Sequence, residues 1–206
     1  MLKTLVITGI GLCLAVAIYF FAFNDGQKDK VSHTNSVVTD EPVNVDDGFE
    51  DNAVTAAVTI GDKAPNFKAA SPEGEAVSLN DVLAKKGKVT IVEFWASWCP
   101  YCQAEMPNVS RIYKKYHDKG LEIISVSIDQ DRSEWLKGIK DLGMADEDWV
   151  HISNLNEWDD PIIMRYGVSS IPTNYILDAD GKVVAIKLKD KELEQQVAKM
   201  IGETEE

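Results

Sequence analysis

The chain has 206 residues, of which 45% are hydrophobic and 27% are charged, and its formal net charge is −13. This length and composition allow one ordinary domain with a sizeable core, and three cysteines are too few for a fold stapled by disulfides. Because nucleic-acid binding calls for clustered Lys and Arg, the acidic balance argues against a nucleic-acid partner.

The N-terminal segment, residues 1–23, predicts a membrane helix. Its only charged side chain is Lys3, and a helix of this length spans the roughly 30 Å hydrocarbon core of a bilayer. Cleavage after Ala17 would leave the apolar sequence IYFFAF at the new N-terminus, so we predict an uncleaved signal anchor. Cys13 lies in this run, and we interpret it as a small apolar residue; a lipidated cysteine is disfavoured because Leu12 precedes it.

Residues 24–58 predict a flexible acidic linker. They show no sustained apolar period, and their middle is acidic through Asp40, Glu41, Asp46, Asp47, Glu50 and Asp51. Such a segment buries too little apolar surface to order itself. A docking segment for a partner is the alternative interpretation.

Residues 59–206 predict one α/β domain. It begins with a hairpin, whose strands NFKAA and EAVSL are joined by SPEG. A buried strand at residues 89–95, VTIVEFW, precedes a helix that Pro107 kinks and that ends at Gly120. The later elements are a strand in LEIISVSID, a helix in RSEWLKGIKDLG, a strand in WVHIS, a short helix in DDPIIMRYG, a hairpin in TNYILDADGKVVAIKL and a helix in KELEQQVAKMIG. This order predicts a mixed sheet flanked by helices.

Two cysteines, Cys99 and Cys102, lie where the buried strand ends and the helix begins. Pro100 suits the first helical position, because a proline has no N–H group to leave without a partner. Cys99 then sits at the helix N-terminus, where free N–H groups and the helix dipole favour a thiolate. Cys102 lies on the same face one turn deeper. The pair therefore predicts disulfide exchange, with Cys99 as the nucleophile and Cys102 as the resolving thiol.

Three other roles for the cysteine pair are disfavoured. A zinc site needs four ligands, and the three histidines offer no second pair at ligand spacing. We accordingly expect no metal and no cofactor. A structural disulfide across so short a loop would constrain little of the unfolded chain. Two unrelated core cysteines stay an alternative, although a helix start is a poor place for inert thiols.

The stretch VEFWASWCPYCQAEMP, followed by SSIPTNYILDADGKVV, resembles the thioredoxin superfamily, and within it the membrane-tethered thiol-disulfide oxidoreductases of the TlpA/ResA type. The resemblance covers about residues 60–201. Peroxiredoxins share the APNF type of opening, but Trp98 directly before the cysteine pair favours a thioredoxin-type site. The resemblance implies a thioredoxin fold, with a central mixed β-sheet, flanking helices and an added N-terminal β-hairpin.

Two acids accompany the cysteines. Glu93 lies inside the buried strand, where a carboxyl group is tolerated mainly if its pKa rises or a partner is present. The resemblance implies that Glu93 lies behind Cys102 and acts as its base, through water. The resemblance also matches Glu105 to an acid of the family's active-site helix. Glu105 would then share the role of base with Glu93 or tune Cys99, and the alternative is an exposed helical glutamate without such a role.

The resemblance further implies a substrate-binding surface around the cysteines. The peptide bond between Ile171 and Pro172 would be cis and lie across from them, with the Ile171 backbone pairing with a substrate peptide. Trp98 would shield the disulfide and contact partner proteins. Pro100 and Tyr101 belong to the same surface, and this inner dipeptide influences the reduction potential.

The resemblance implies an extracytoplasmic thiol-disulfide oxidoreductase, held in the inner membrane by its N-terminal helix, with its catalytic domain in the periplasm. It would reduce disulfides in secreted or cytochrome c precursor proteins, with electrons from a membrane thiol donor of the DsbD/CcdA type. A disulfide-forming oxidase or isomerase is the principal alternative. A second alternative is a tethered module that binds a peptide or copper.

Overall fold

The computed structural model describes residues 57–203. The predicted signal anchor at residues 1–23 lies outside this part, as does the predicted linker apart from its last two residues. No helix within residues 57–203 is long and apolar enough to cross a bilayer.

Seven strands form one mixed sheet in the described part of the chain. They are β1 (Lys68–Ala70), β2 (Ala76–Ser78), β3 (Val89–Trp95), β4 (Leu121–Ser127), β5 (Val150–Ser153), β6 (Thr173–Asp178) and β7 (Val183–Ile186). Their spatial order is β2-β1-β5-β4-β3-β6-β7. The strands β3, β4 and β5 are parallel, whereas β6 is antiparallel to β3 and β7 to β6. At the other edge, β1 is antiparallel to both β5 and β2.

Five α-helices accompany this sheet in residues 57–203. They are α1 (Leu79–Ala84), α2 (Pro100–Tyr116), α3 (Arg132–Asp141), α4 (Pro161–Tyr166) and α5 (Asp190–Ile201). Helix α2 continues through Pro107, as the sequence predicts, and a 3₁₀ turn (His117–Lys119) then leads to Gly120 at φ 108°. This left-handed conformation suits glycine and ends the helical segment.

The helices divide between the two faces of the sheet. Helix α2 packs against α5, and Ser110 Oγ of α2 donates to the carbonyl of Gly143 behind α3 at 2.6 Å. On the other face, Tyr166 of α4 packs against Phe94 and Tyr175, with ring centroids 5.4 and 5.0 Å away. Because side chains alternate along a strand, Glu93 points away from Phe94, toward the face of α2 and α5.

Helix α1 is the element that the sequence analysis missed. The predicted strand EAVSL ends one residue early, at Ser78, and Leu79 begins the helix. Ser78 Oγ accepts the N–H of Asp81 at 3.2 Å, while Asp81 Oδ2 accepts the N–H of Ser78 at 2.8 Å. This reciprocal capping box starts a helix at the point where alternation alone predicts a continuing strand.

The sheet brings distant segments to one edge. All seven residues of β3 and all seven of β4 are buried. Because β3 and β4 are parallel, their carboxyl ends lie at the same edge of the sheet. Because β6 is antiparallel to β3, its amino end lies at that edge too. Both cysteines of the described chain follow β3 at this edge, and the loop with Ile171 and Pro172 precedes β6.

Candidate active site

Cys99 is the N-cap residue of α2, and Pro100 is the first helical residue. The Sγ atom of Cys99 accepts the backbone N–H of Cys102 at 3.2 Å. The thiol of Cys99 also lies 3.8 Å from the carbonyl oxygen of Ile171 and donates to it. The sulfur is thus held between the start of α2 and the loop before β6. A backbone N–H directed at this sulfur stabilises negative charge there.

Both sulfurs are free thiols, and Cys102 is the deeper of the two. Cys99 is 3% exposed, whereas Cys102 has no exposed surface. Burial raises the pKa of the Cys102 thiol well above its usual range, and Cys99 and the negative charge of Glu93 add to this rise. Cys102 therefore needs a base before it can attack a disulfide.

Glu93 is fully buried in β3, between Ser125 of β4 and Asn174 of β6. Neither of its carboxyl oxygens has a hydrogen-bond partner among residues 57–203. Burial raises the pKa of Glu93 to about 8. The amide of Asn174 and the cation of Lys189 partly offset this rise, whereas the charge of Glu105 adds to it. Glu93 can therefore take up or release a proton near neutral pH.

The Asn174 side chain is engaged elsewhere. Its Nδ2 donates to the carbonyl of Leu188 at 2.8 Å, and its Oδ1 accepts the N–H of Leu188 at 3.0 Å. These two bonds fix the loop between β7 and α5 against the sheet. The second N–H of the amide makes no hydrogen bond with Glu93, whose two carboxyl oxygens are unpartnered, although the Asn174 amide lowers the pKa of that carboxyl group.

Glu105 lies on α2 and is 9% exposed, so the alternative of an exposed helical glutamate is wrong. Its Oε1 accepts Nδ2 of Asn108 at 3.1 Å and the backbone N–H of Asp190 at 3.3 Å. Asp190 is the first residue of α5, and the N-cap residue Lys189 makes no side-chain cap of its own. Glu105 thus caps α5 from the neighbouring helix, where the helix dipole favours a carboxylate.

The loop before Cys99 is fixed by a buried carboxylate. Asp129, which is 1% exposed, accepts the backbone N–H of Ser97 at 3.1 Å and its hydroxyl at 2.7 Å. Ser127 Oγ donates to the same carboxylate at 2.6 Å. On the helix side, Gln103 Nε2 donates to the carbonyl of Ser97 at 2.7 Å. Ser97, two positions before Cys99, is therefore held from both sides.

Large aromatic side chains surround the cysteines on the outside. Trp98 is 47% exposed and Tyr101 is 76% exposed. Trp95 is fully buried and belongs to the core. The Ile171–Pro172 peptide bond is cis, as the resemblance implies, and both residues are half-buried. Apolar surface is thus presented beside a nearly buried thiol.

The structure brings most of the predicted site residues together. Cys99, Cys102 and Ile171 are joined by hydrogen bonds, and Glu93 and Glu105 interact with each other electrostatically. Glu93 forms no hydrogen bond to Cys102. Within residues 57–203, no group of three or more His, Cys, Asp or Glu side chains is placed to hold a metal ion.

Four polar residues of the site are not singled out by the sequence analysis: Ser97, Asn108, Asp129 and Asn174. Asp129 lies two residues after β4, and Asn174 is the second residue of β6. A polar side chain at the end of a buried strand is a readable signal, because strand ends gather at one edge of a sheet. Asn108 lies within α2, and its two partners, Glu105 and Arg111, are three residues before and after it on the same helix, a spacing that the sequence analysis does not use.

Comparison with known proteins agrees with this geometry. Residues 60–186, more than half of the chain, match the AhpC/TSA family. The chain belongs to this family. Within it, the thiol-disulfide oxidoreductase ResA of Bacillus thuringiensis subsp. konkukian is 35% identical over 138 residues, which are 67% of this chain and 74% of that protein. ResA of Bacillus subtilis is 30% identical over 138 residues, covering 66% and 72% of the two chains.

Solved structures show the same fold. The thioredoxin domain of a thiol-disulfide oxidoreductase from Bacteroides vulgatus is 30% identical and superposes with a TM-score of 0.63, covering 71% of this chain and all of that domain. The predicted thioredoxin fold is thereby confirmed, and so is the predicted relationship to ResA-type proteins. This member of the AhpC/TSA family is a thioredoxin-like thiol-disulfide oxidoreductase.

Proposed function

We propose that this enzyme reduces disulfide bonds of proteins outside the cytoplasm, by exchange at Cys99 and Cys102. The observation that carries the proposal is the position of Cys99. Its sulfur lies at the N-terminus of α2, 3.2 Å from the N–H of Cys102 and 3.8 Å from the carbonyl of Ile171. A thiolate there is stabilised by the helix and lies beside a backbone that can align a substrate peptide.

In the first step, the Cys99 thiolate attacks one sulfur of the substrate disulfide. A bond between Cys99 and that sulfur forms, the substrate disulfide breaks, and the second substrate sulfur leaves as a thiolate that takes up a proton. The exposed surfaces of Trp98 and Tyr101 flank the approach. Ile171 offers main-chain groups to an extended substrate segment.

In the second step, Cys102 attacks Cys99. Glu93 takes the proton of the Cys102 thiol through an intervening water molecule, since the two groups share no direct hydrogen bond. The Cys99–Cys102 disulfide forms, and the remaining substrate sulfur leaves as a thiolate that is protonated. A carboxyl group with a pKa near 8 is a stronger base than an ordinary glutamate, which matches it to a deeply buried thiol.

Each turnover leaves the enzyme oxidised, so a dithiol donor must return two electrons to it. We assign this task to a membrane thiol donor of the DsbD/CcdA type. The apolar residues 1–23 would anchor the chain in the inner membrane, and the acidic residues 24–58 would let the domain move in the periplasm between donor and substrates. Secreted proteins and cytochrome c precursors are the substrates that we propose.

The test is to trap the mixed disulfide. A Cys102→Ser variant should accumulate covalent complexes with disulfide-containing proteins of the cell envelope, because the resolving sulfur is gone. Cys99→Ser should accumulate none and should lose all disulfide reduction. The proposal fails if Cys99→Ser keeps its activity, or if the trapped partners of Cys102→Ser are cytoplasmic.

A further inference from the structure

A chain of polar contacts runs from the surface of α5 to Glu105. Arg111 Nη2 donates to Glu194 Oε2 at 2.7 Å and to Asn108 Oδ1 at 2.8 Å. Asn108 Nδ2 in turn donates to Glu105 Oε1 at 3.1 Å. The backbone N–H of Asp190 reaches the same oxygen at 3.3 Å. The carboxylate of Glu105 is therefore held by one backbone donor and one side-chain donor.

The two neighbours of Asn108 fix the direction of its amide group. Arg111 has only donors, so the carbonyl oxygen of the amide must face it. The NH₂ group is then left for the carboxylate of Glu105, which has only acceptors when ionised. Without Arg111 the amide is free to turn, and a carbonyl oxygen that faces Glu105 would repel it.

The position of Glu105 matters because its charge acts on Glu93. The elements around the Glu105 carboxylate all carry charged or titratable groups. These are Glu93 on β3, Cys102 and Arg111 on α2, Lys189 just before α5, and Asp190 and Glu194 on α5. The charge of Glu105 raises the pKa of Glu93, so a displacement of Glu105 alters the proton affinity of Glu93.

We propose that Asn108 is a positioning residue of the active site, which holds the carboxylate of Glu105 where its charge acts on Glu93, and that Arg111 keeps the Asn108 amide in the required direction. The inference rests on the proposed function, since it requires Glu93 to take the proton of Cys102. It adds to that function a polar connection between the surface of the domain and the base of the resolving step.

The experiment follows the reaction of the reduced full chain with 5,5′-dithiobis(2-nitrobenzoic acid), in a Cys13→Ala background. Cys99 attacks the reagent and releases one thionitrobenzoate; Cys102 then displaces a second one from Cys99. The rate of the second release is measured from pH 5 to 10. Asn108→Ala removes the donor without adding charge and should lower the pH midpoint of this rate by up to about one unit, because a displaced Glu105 carboxylate no longer raises the pKa of Glu93.

Two matched controls separate positioning from general charge effects. Asn80→Ala removes the same side chain from an exposed position of another helix, α1. Lys115→Gln removes a cation from Glu194, as Arg111→Gln does, and both cations are about half exposed. Only Arg111 contacts Asn108. We expect a downward shift for Arg111→Gln, because a turned Asn108 amide repels Glu105 from its place, and shifts below about 0.2 unit for the two controls, since exposed charges are screened.

The release of the first thionitrobenzoate depends on Cys99 alone. Its rate should be the same in all variants if each one is correctly folded. An unchanged or raised midpoint in Asn108→Ala overturns the inference, and so does an equal shift in Lys115→Gln or Asn80→Ala. If the parent protein shows no second release at all, the proposed resolving role of Cys102 fails instead, and the two results are thereby distinguished.

Discussion

The thiol of Cys99 lies 3.8 Å from the carbonyl oxygen of Ile171, although 71 residues separate them in the chain. The contact joins the start of α2 to the loop before β6 across the edge of the sheet. It places the Cys99 sulfur next to a backbone segment that can pair with an extended peptide. We therefore expect the surface around Cys99 to bind protein disulfides better than small disulfides.

Trp98 should contribute to this surface. Trp98→Ala should lower kcat/KM for a protein disulfide such as insulin by about tenfold, because an exposed aromatic anchor at an interface is worth about 1–2 kcal/mol. Reduction of a small aromatic disulfide should change little. Trp158, which is 40% exposed against 47% for Trp98, provides the matched control. Equal losses in Trp98→Ala and Trp158→Ala would contradict the assignment.

Glu93→Gln should make the free energy of unfolding less dependent on pH. The pKa of Glu93 is raised in the folded state from an ordinary 4.5 to about 8, so the unfolded chain releases this proton first. The stability that Glu93 contributes is therefore complete at low pH and is lost as the pH rises through this interval, by up to about 1.4 kcal/mol for each pH unit.

Denaturant unfolding of both proteins at several pH values measures this difference. The advantage of Glu93→Gln over the parent should grow between pH 4.5 and 8 and then level off. Parallel curves for the two proteins over this range would show that Glu93 does not bind its proton more tightly in the folded state.

The same substitution should slow catalysis at one step. Without a base, Cys102 must lose its proton to solvent, so Glu93→Gln should slow resolution of the mixed disulfide by about 10²-fold or more. The attack by Cys99 should be nearly unaffected. Rapid-mixing kinetics on a stoichiometric substrate separates the two steps. Similar slowing of the attack and of the resolution would contradict the assignment of Glu93 as the base for Cys102.

Much of this site was predictable from the sequence, because it depends on local patterns. The bounds of β3 at residues 89–95 follow from one β-branched and aromatic run, and the positions of Cys99 and Pro100 follow from helix-start rules. The charge of Glu93 within a buried strand was also readable. Helix α1 was missed although its capping box is local, because the sequence analysis reads EAVSL as a strand and does not consider the pairing of Ser78 with Asp81.

The rest of the site depends on contacts between distant parts of the chain. Glu105 is capped by Asp190, and Ser97 is held by Asp129. Neither pair has a spacing that a sequence pattern can reveal, because each forms only when the sheet brings the segments together. The burial of Glu105 follows from the same packing of α2 against α5.

Gly138 of α3 should be sensitive to any side chain. A Cβ atom at this position would lie 2.8 Å from Cβ of Ser97 and 3.1 Å from the Trp95 ring. Gly138→Ala should lower the free energy of unfolding by about 1–3 kcal/mol through overpacking, and should slow disulfide reduction by displacing the loop before Cys99. Lys140→Ala, at an exposed position of the same helix, is the control. A Gly138→Ala protein as stable and active as this control would contradict the close packing.

The reduction potential of the Cys99–Cys102 pair tests the central claim most directly. It is measured on the full chain by equilibration with dithiothreitol or glutathione buffers. A reductase of the kind proposed should have a potential near that of reductive thioredoxins, about −270 mV. A value near about −120 mV, typical of a strong disulfide-forming oxidant, would contradict the proposed direction of electron flow and make this enzyme a source of disulfides.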